Sequence, residues 1–176
     1  LGQRLAAESM ALEPFIVSIT EGGVERVPGS AVFLTPNPES VPHAMLHSLK
    51  HYKALHEQVI ILSVKVFDVP YVPALDRVEV HRLDGNFSQV IVQYGFKDDP
   101  DIPSALALCA GSGLELDMMD TSFFLGRETL IPRLGSEMAY WRSLIFVAMF
   151  SNAGSATAFF KIPSNRVVEL GSQVVL

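Results

Sequence analysis

The chain has 176 residues, a formal net charge of −6 and one cysteine, Cys109. That length suits a single domain able to bury its own core without a metal or disulfide staple. The acidic balance, with no run of Lys or Arg, leaves no electrostatic footprint for nucleic acid, and a lone cysteine excludes an intrachain disulfide and fits a reducing compartment.

Mean hydropathy is +0.31, and charged residues make up 18%, below the roughly 25% of ordinary globular chains. Such a composition predicts apolar surface left for a neighbour, either a second copy or another part of the same polypeptide. The chain opens at Leu1 without a basic stretch followed by an apolar run, so it is expected to carry no signal peptide and to be a portion of something longer.

Taken in order, Gly2–Ser9 and Glu13–Thr20 are predicted to be short amphipathic helices, with Pro14 in a first turn and Gly22-Gly23 as the stop. Val27–Thr35 is predicted to be a strand that enters the turn Thr35-Pro36-Asn37-Pro38. Ser40 is expected to cap a helix running to about Leu55, with Val41, Met45, Leu49 and Tyr52 on its buried face. Val59–Phe67 is a nearly continuous apolar run, as in a strand covered on both faces. Strand, helix and buried strand in succession predict a βαβ unit.

After the Pro-rich stretch Asp68–Pro73 the pattern changes. Arg77–Leu83 and Gln89–Phe96 alternate around Asp84-Gly85-Asn86, which predicts an antiparallel hairpin. Asp101–Ala110 follows as a helix stopped by Gly111-Ser112-Gly113, and Thr121–Leu125 as a strand. Glu137–Phe150 is expected to be a buried helix, and Arg166–Val168 and Gln173–Val175 short terminal strands. Ser143 to Phe160 lacks charge for eighteen residues, but its Ser, Asn, Gly and Thr positions argue for buried helices over a membrane span. The expected fold is one α/β domain: a mixed sheet with a parallel βαβ start and an antiparallel hairpin, helices packed on the sheet.

Phosphate-loop, zincin, thiol-redox and nucleophile-elbow motifs do not occur in the sequence. Gly111-Ser112-Gly113 follows a helix instead of opening one, which favours a C-cap over a phosphate turn. Cys109 lies on an apolar helix and is expected to be a core residue. His43, His47 and His51 recur every four residues and share a helical face. Two such imidazoles could hold a divalent metal or form a pH-sensitive contact. No Cys or acidic ligand stands at metal-binding spacing, which favours a solvated face beside Lys50 and Lys53. Gly126-Arg127-Glu128 interrupts an apolar stretch. Arg127 could pair with Asp117, Asp120 or Glu128, or bind an anion, a surface pair being the expected outcome.

Read together, several blocks resemble the C-terminal domain of the Kup/HAK/KT potassium-uptake permeases. They are Arg26 to Thr35, Val41 to His47, Leu49-Lys50-His51, Leu55-His56-Glu57, Tyr94-Gly95-Phe96 with Pro100 to Pro103, and Thr121 to Leu130. Ser155-Ala156-Thr157, Phe159-Phe160, Ile162-Pro163 and Asn165 to Gly171 complete the set. The blocks keep the family's order across nearly the whole chain. Ser30, Gly154 and Ala158 depart from the family's commoner choices.

The resemblance implies a regulatory and assembly domain, without catalysis or cofactor, on the cytoplasmic face of a bacterial inner-membrane potassium:proton symporter. It implies that residues 1–25 form a helical linker after the last membrane helix and 26–176 the α/β domain. The implied partners are the membrane portion of the same polypeptide and a second copy in a homodimer, with a cyclic dinucleotide or nucleotide as a conceivable ligand. No transport residue carries over. His43, His47, His51, Arg127, Glu128 and Arg166 are the interaction candidates. A stand-alone universal-stress-like nucleotide-binding module is the alternative, and a small hydrolase using the histidine face a third.

Overall fold

The computed structural model describes residues 10–131 and 156–175, and the side chains of all of these except 127–131 and 172–175. The helices expected at Gly2–Ser9 and Glu137–Phe150 lie outside the described residues. Six strands form one mixed sheet: β1 (Glu25–Leu34), β2 (Ala54–Phe67), β3 (Val78–Arg82), β4 (Phe87–Gly95), β5 (Thr121–Ile131) and β6 (Val167–Val175). Their order is β3-β4-β2-β1-β5-β6. Every neighbouring pair is parallel except the β3–β4 hairpin. From β1 the chain builds outward first on one side, then on the other, so helices can cover both faces.

Alternation along the strands divides the core in two. On one face α1 (Leu12–Glu21) and α2 (His43–Tyr52) cover Ala31, Phe33, Val59, Ile61 and Phe124. On the other, α3 (Ile102–Leu108) covers Val32, Ile60, Leu62, Val90 and Phe123, joined by Ile162 after the short α4 (Ala156–Phe159). Val59, Ile60, Ile61 and Leu62 are all fully buried, and each such side chain contributes about 1.5–3 kcal/mol by leaving water. The expected cover on both faces ends there: Lys65, Val66 and Phe67 are exposed, because β2 runs on beyond its last pairing with β1 at Leu34↔Leu62. α1 belongs to this packing: Leu12, Ile16 and Ile19 are buried, and Leu12 N donates to Glu39 O at 2.9 Å.

Helix ends follow local chemistry. Asp101 caps α3 by accepting from Ser104 N at 2.8 Å, and Gly113 takes the left-handed conformation that ends the following turn (φ 75°). α2 departs from expectation at both ends. Pro42, extended at ψ 132°, is the residue before its first turn, while Ser40 Oγ donates to Asn37 O at 3.3 Å instead of capping. Lys53 turns left-handed (φ 55°) and stops the helix at Tyr52, so Leu55 enters β2 as a buried strand residue. Tyr52, expected on the buried face, is 67% exposed because the helix ends there, beyond the layer held by Ala44, Met45 and Ser48.

Two strand boundaries also differ. β5 continues through Gly126-Arg127-Glu128 to Ile131, and β6 is one strand where two short ones were expected. The reason is mutual pairing: the two strands run in parallel register from Phe123↔Val167 to Ile131↔Val175.

Candidate functional site

In a sheet whose order reverses, ligands favour the crevice beyond the carboxyl ends of the strands at the reversal. Here that place lies between β1 and β5. β1 stops pairing at Leu34↔Leu125, while β2 runs on to Phe67 and β5 to Ile131. The turn after β1 occupies this position. Thr35 N donates to Leu62 O and Ser63 Oγ donates to Thr35 O, both at 2.9 Å. Gln89 Nε2 donates to Pro38 O at 2.6 Å. These bonds consume polar groups that a bound phosphate would otherwise use.

Beside it, a strap of residues 68–76 crosses the carboxyl end of β4. Phe96 N and Lys97 N donate to Val69 O and Pro70 O, both at 2.9 Å. Asp98 is the fastener: its Oδ2 accepts from Gly95 N at 2.7 Å and from Val72 N at 3.0 Å. Arg77 Nη2 meets Asp98 Oδ1 at 3.1 Å and also donates to Val72 O. The Arg77 guanidinium lies 4.8 Å over the Tyr94 ring. Tyr94 Oη donates to Asp101 O at 2.9 Å and accepts from Asp101 N at 3.0 Å.

The electrostatics follow from these contacts. N–H donation from Gly95 and Val72, then the Arg77 charge, hold the Asp98 carboxyl below its usual range. Burial pushes the Tyr94 phenol up, opposed by its bond to Asp101 and by Arg77. Burial likewise pushes the His56 imidazole down, with Asp120 opposing.

Fastened this way, the strap and strand ends present Val66, Phe67, Val69, Tyr71, Leu75 and Phe96 to solvent. Leu75 is 95% exposed, so its side chain contributes nothing to the domain's own core. A rigidly held apolar face of this kind is suited to covering by a neighbour. It needs no catalytic group.

His43, His47 and His51 stand together on the exposed face of α2, and the rings of His47 and His51 are 4.5 Å apart. Among the described residues no group of three or more His, Cys, Asp or Glu side chains converges as metal ligands would. Arg127 and Glu128 lie in β5 opposite Gly171 and Ser172; the pairing expected of Arg127 lies outside the described side chains. Arg166 is half-buried and ends the turn Ser164–Arg166 before β6. The structure does not bring Arg166 to the histidine face by any described contact. Arg77, Tyr94 and Asp98 were not foreseen; the only hint was the Pro-rich stretch facing Tyr94-Gly95-Phe96 and Asp98-Asp99-Pro100.

Residues 28–176 match the family described as K+ potassium transporter C-terminal domain. The chain is 78% identical over its whole length to "Probable potassium transport system protein Kup 3" of Dechloromonas aromatica, and 63% identical to Kup 1 of the same organism. It is 55% identical, again over its whole length, to the Kup protein of Azoarcus sp.. In each case it spans 28% of the relative's length. No solved structure matches the chain. Among the described residues no helix is long and apolar enough to cross a membrane.

Proposed function

Since the chain belongs to the K+ potassium transporter C-terminal domain family, we propose that it serves as the regulatory and assembly domain of a proton-coupled potassium-uptake permease and conducts no ion itself. The observation that carries this reading is the end-to-end match to little more than a quarter of relatives named as potassium transport proteins. In this reading the ion path lies in the remaining length of the permease, and the domain sits on the cytoplasmic side. Its apolar strap packs against the membrane portion. Such a domain influences transport only by binding two states of that portion unequally.

The test uses the Dechloromonas aromatica relative in a bacterium lacking other potassium uptake. Replacing its matching region with this chain is expected to preserve rubidium uptake. Phe67→Ser with Tyr71→Ser in that chimera is expected to lower uptake at unchanged membrane abundance. Uptake that is unaffected by deleting the whole region, or potassium flux through liposomes holding the isolated chain, would overturn the proposal.

A further inference from the structure

At the opposite end of the sheet from the strap, the amino ends of β2 and β4 open into a cleft of about 390 Å³. That volume falls within the range of small-molecule sites, roughly 300–1,000 Å³. Register sets its chemistry. Arg82 lies directly across from Ser88 in the antiparallel β3–β4 pair, so both side chains share one face. Ser88 pairs in turn with Ile60, whose side chain belongs to the α3-side core. The loop Gly113-Leu114 closes the cleft on that side.

The guanidinium is positioned and underused. Arg82 Nη2 donates to Gly113 O at 2.6 Å. Gly113 is left-handed (φ 75°), and a Cβ there would stand 2.9 Å from Arg82 Nη2, so the missing side chain lets the two meet. An arginine carries five N–H donors, and this is its one hydrogen bond among the described residues. Neither Ser88 Oγ nor the Asn86 side-chain amide has a hydrogen-bond partner among the described residues, and both keep contact with solvent at the cleft, since the one buried side-chain N or O atom left without a partner among those residues is Arg77 Nε. Gln58 differs: its Oε1 accepts from Ser30 Oγ at 2.7 Å and its Nε2 donates to Glu115 O at 3.4 Å. Glu57 also lines the cleft and disfavours polyanions there.

We propose that this cleft binds a small organic monoanion through its carboxylate or phosphate oxygens. Arg82 and the Ser88 hydroxyl hold the oxyanion, and Asn86 contacts the rest of the molecule. An exposed guanidinium anchored to Gly113 O by one donor, with further donors unbonded to protein, suits such oxygens, since charge-assisted bonds are about twice as strong as neutral ones. The site stands apart from the apolar strap, so it can report a metabolite without competing for the surface assigned to the membrane portion.

The experiment titrates the 176-residue chain with sodium acetate, sodium dimethyl phosphate and butylammonium chloride while following amide chemical shifts. Acetate or dimethyl phosphate, each a monoanion at neutral pH, is expected to give saturable shifts at Arg82, Ser88 and Gly113, the stronger of the two identifying the anion class; butylammonium is expected to give none. Arg82→Gln is expected to weaken the response at least about tenfold. Ser88→Ala, which leaves the Arg82–Gly113 contact in place, is expected to weaken it less. Non-saturable shifts, or equal binding by both variants and the parent, would overturn the proposal. Either result leaves the transporter reading standing, because that reading is tested by uptake.

Discussion

Arg77 and Asp98 are 21 residues apart in sequence, yet their 3.1 Å ion pair locks the strap onto the end of β4. Both are largely buried, at 19% and 9% side-chain exposure, and Asp98 also satisfies two backbone N–H groups. The lock therefore depends on the carboxylate being ionised.

The pH dependence has a definite sign. Asp98 titrates lower in the folded chain than an unfolded Asp would, so its stabilisation is complete above the ordinary value of about 4 and is lost as pH falls through the folded value. Asp98→Asn is expected to lower the melting temperature at neutral pH and to flatten the loss of stability as pH falls below about 4. Parallel thermal melts of the two proteins check this. Identical acid slopes would contradict it.

Gly95 tests the strap from below. A Cβ at this position would stand 2.5 Å from both Val69 O and Pro70 O, which are backbone atoms that cannot swing aside. Gly95→Ala is expected to cost about 1–3 kcal/mol in urea unfolding and to speed chymotryptic cleavage at Tyr71. Gly111→Ala, where nothing lies within 4 Å, serves as the neutral control.

The core makes a sharper demand. Phe33 is fully buried, and its ring stacks on Phe124 with centroids 4.7 Å apart at 20°. Phe33→Ala is expected to cost about 3–5 kcal/mol. Tyr52→Ala is expected to stay within about 0.5 kcal/mol despite removing an aromatic ring, since that ring is in solvent. Denaturant curves distinguish the two directly.

Cys109 is buried, and burial pushes its thiol up to about 11. Without thiolate there is no nucleophile. Native protein at about pH 8 is expected to resist iodoacetamide and to be alkylated fully in urea, as read by intact mass. Rapid native alkylation would show that α3 lifts off the sheet.

Much of the fold was legible because local signals agreed with it. The run Val59–Phe67, the Asp84-Gly85-Asn86 hairpin and the stop at Gly111-Ser112-Gly113 each carry their own physical reason. The errors share one cause. Nothing local says that Lys53 turns left-handed, and Gly126 and Gly171 interrupt apolar patterns that β5 and β6 continue by pairing with each other. The strap was invisible for the same reason: Arg77, Tyr94 and Asp98 meet only after β4 has formed. The histidine face could be read directly, because helical spacing alone places three residues on one side of α2.

β3 has a further consequence for assembly. It contributes only five residues, and Glu79, His81 and Arg82 on it are exposed. A short, charged margin discourages another polypeptide from extending the ladder of backbone hydrogen bonds. Two copies meeting at this border would find no template for a shared, continuous ribbon. Association at this border must use side chains on a face or at an end, where it can be loosened without unravelling the fold.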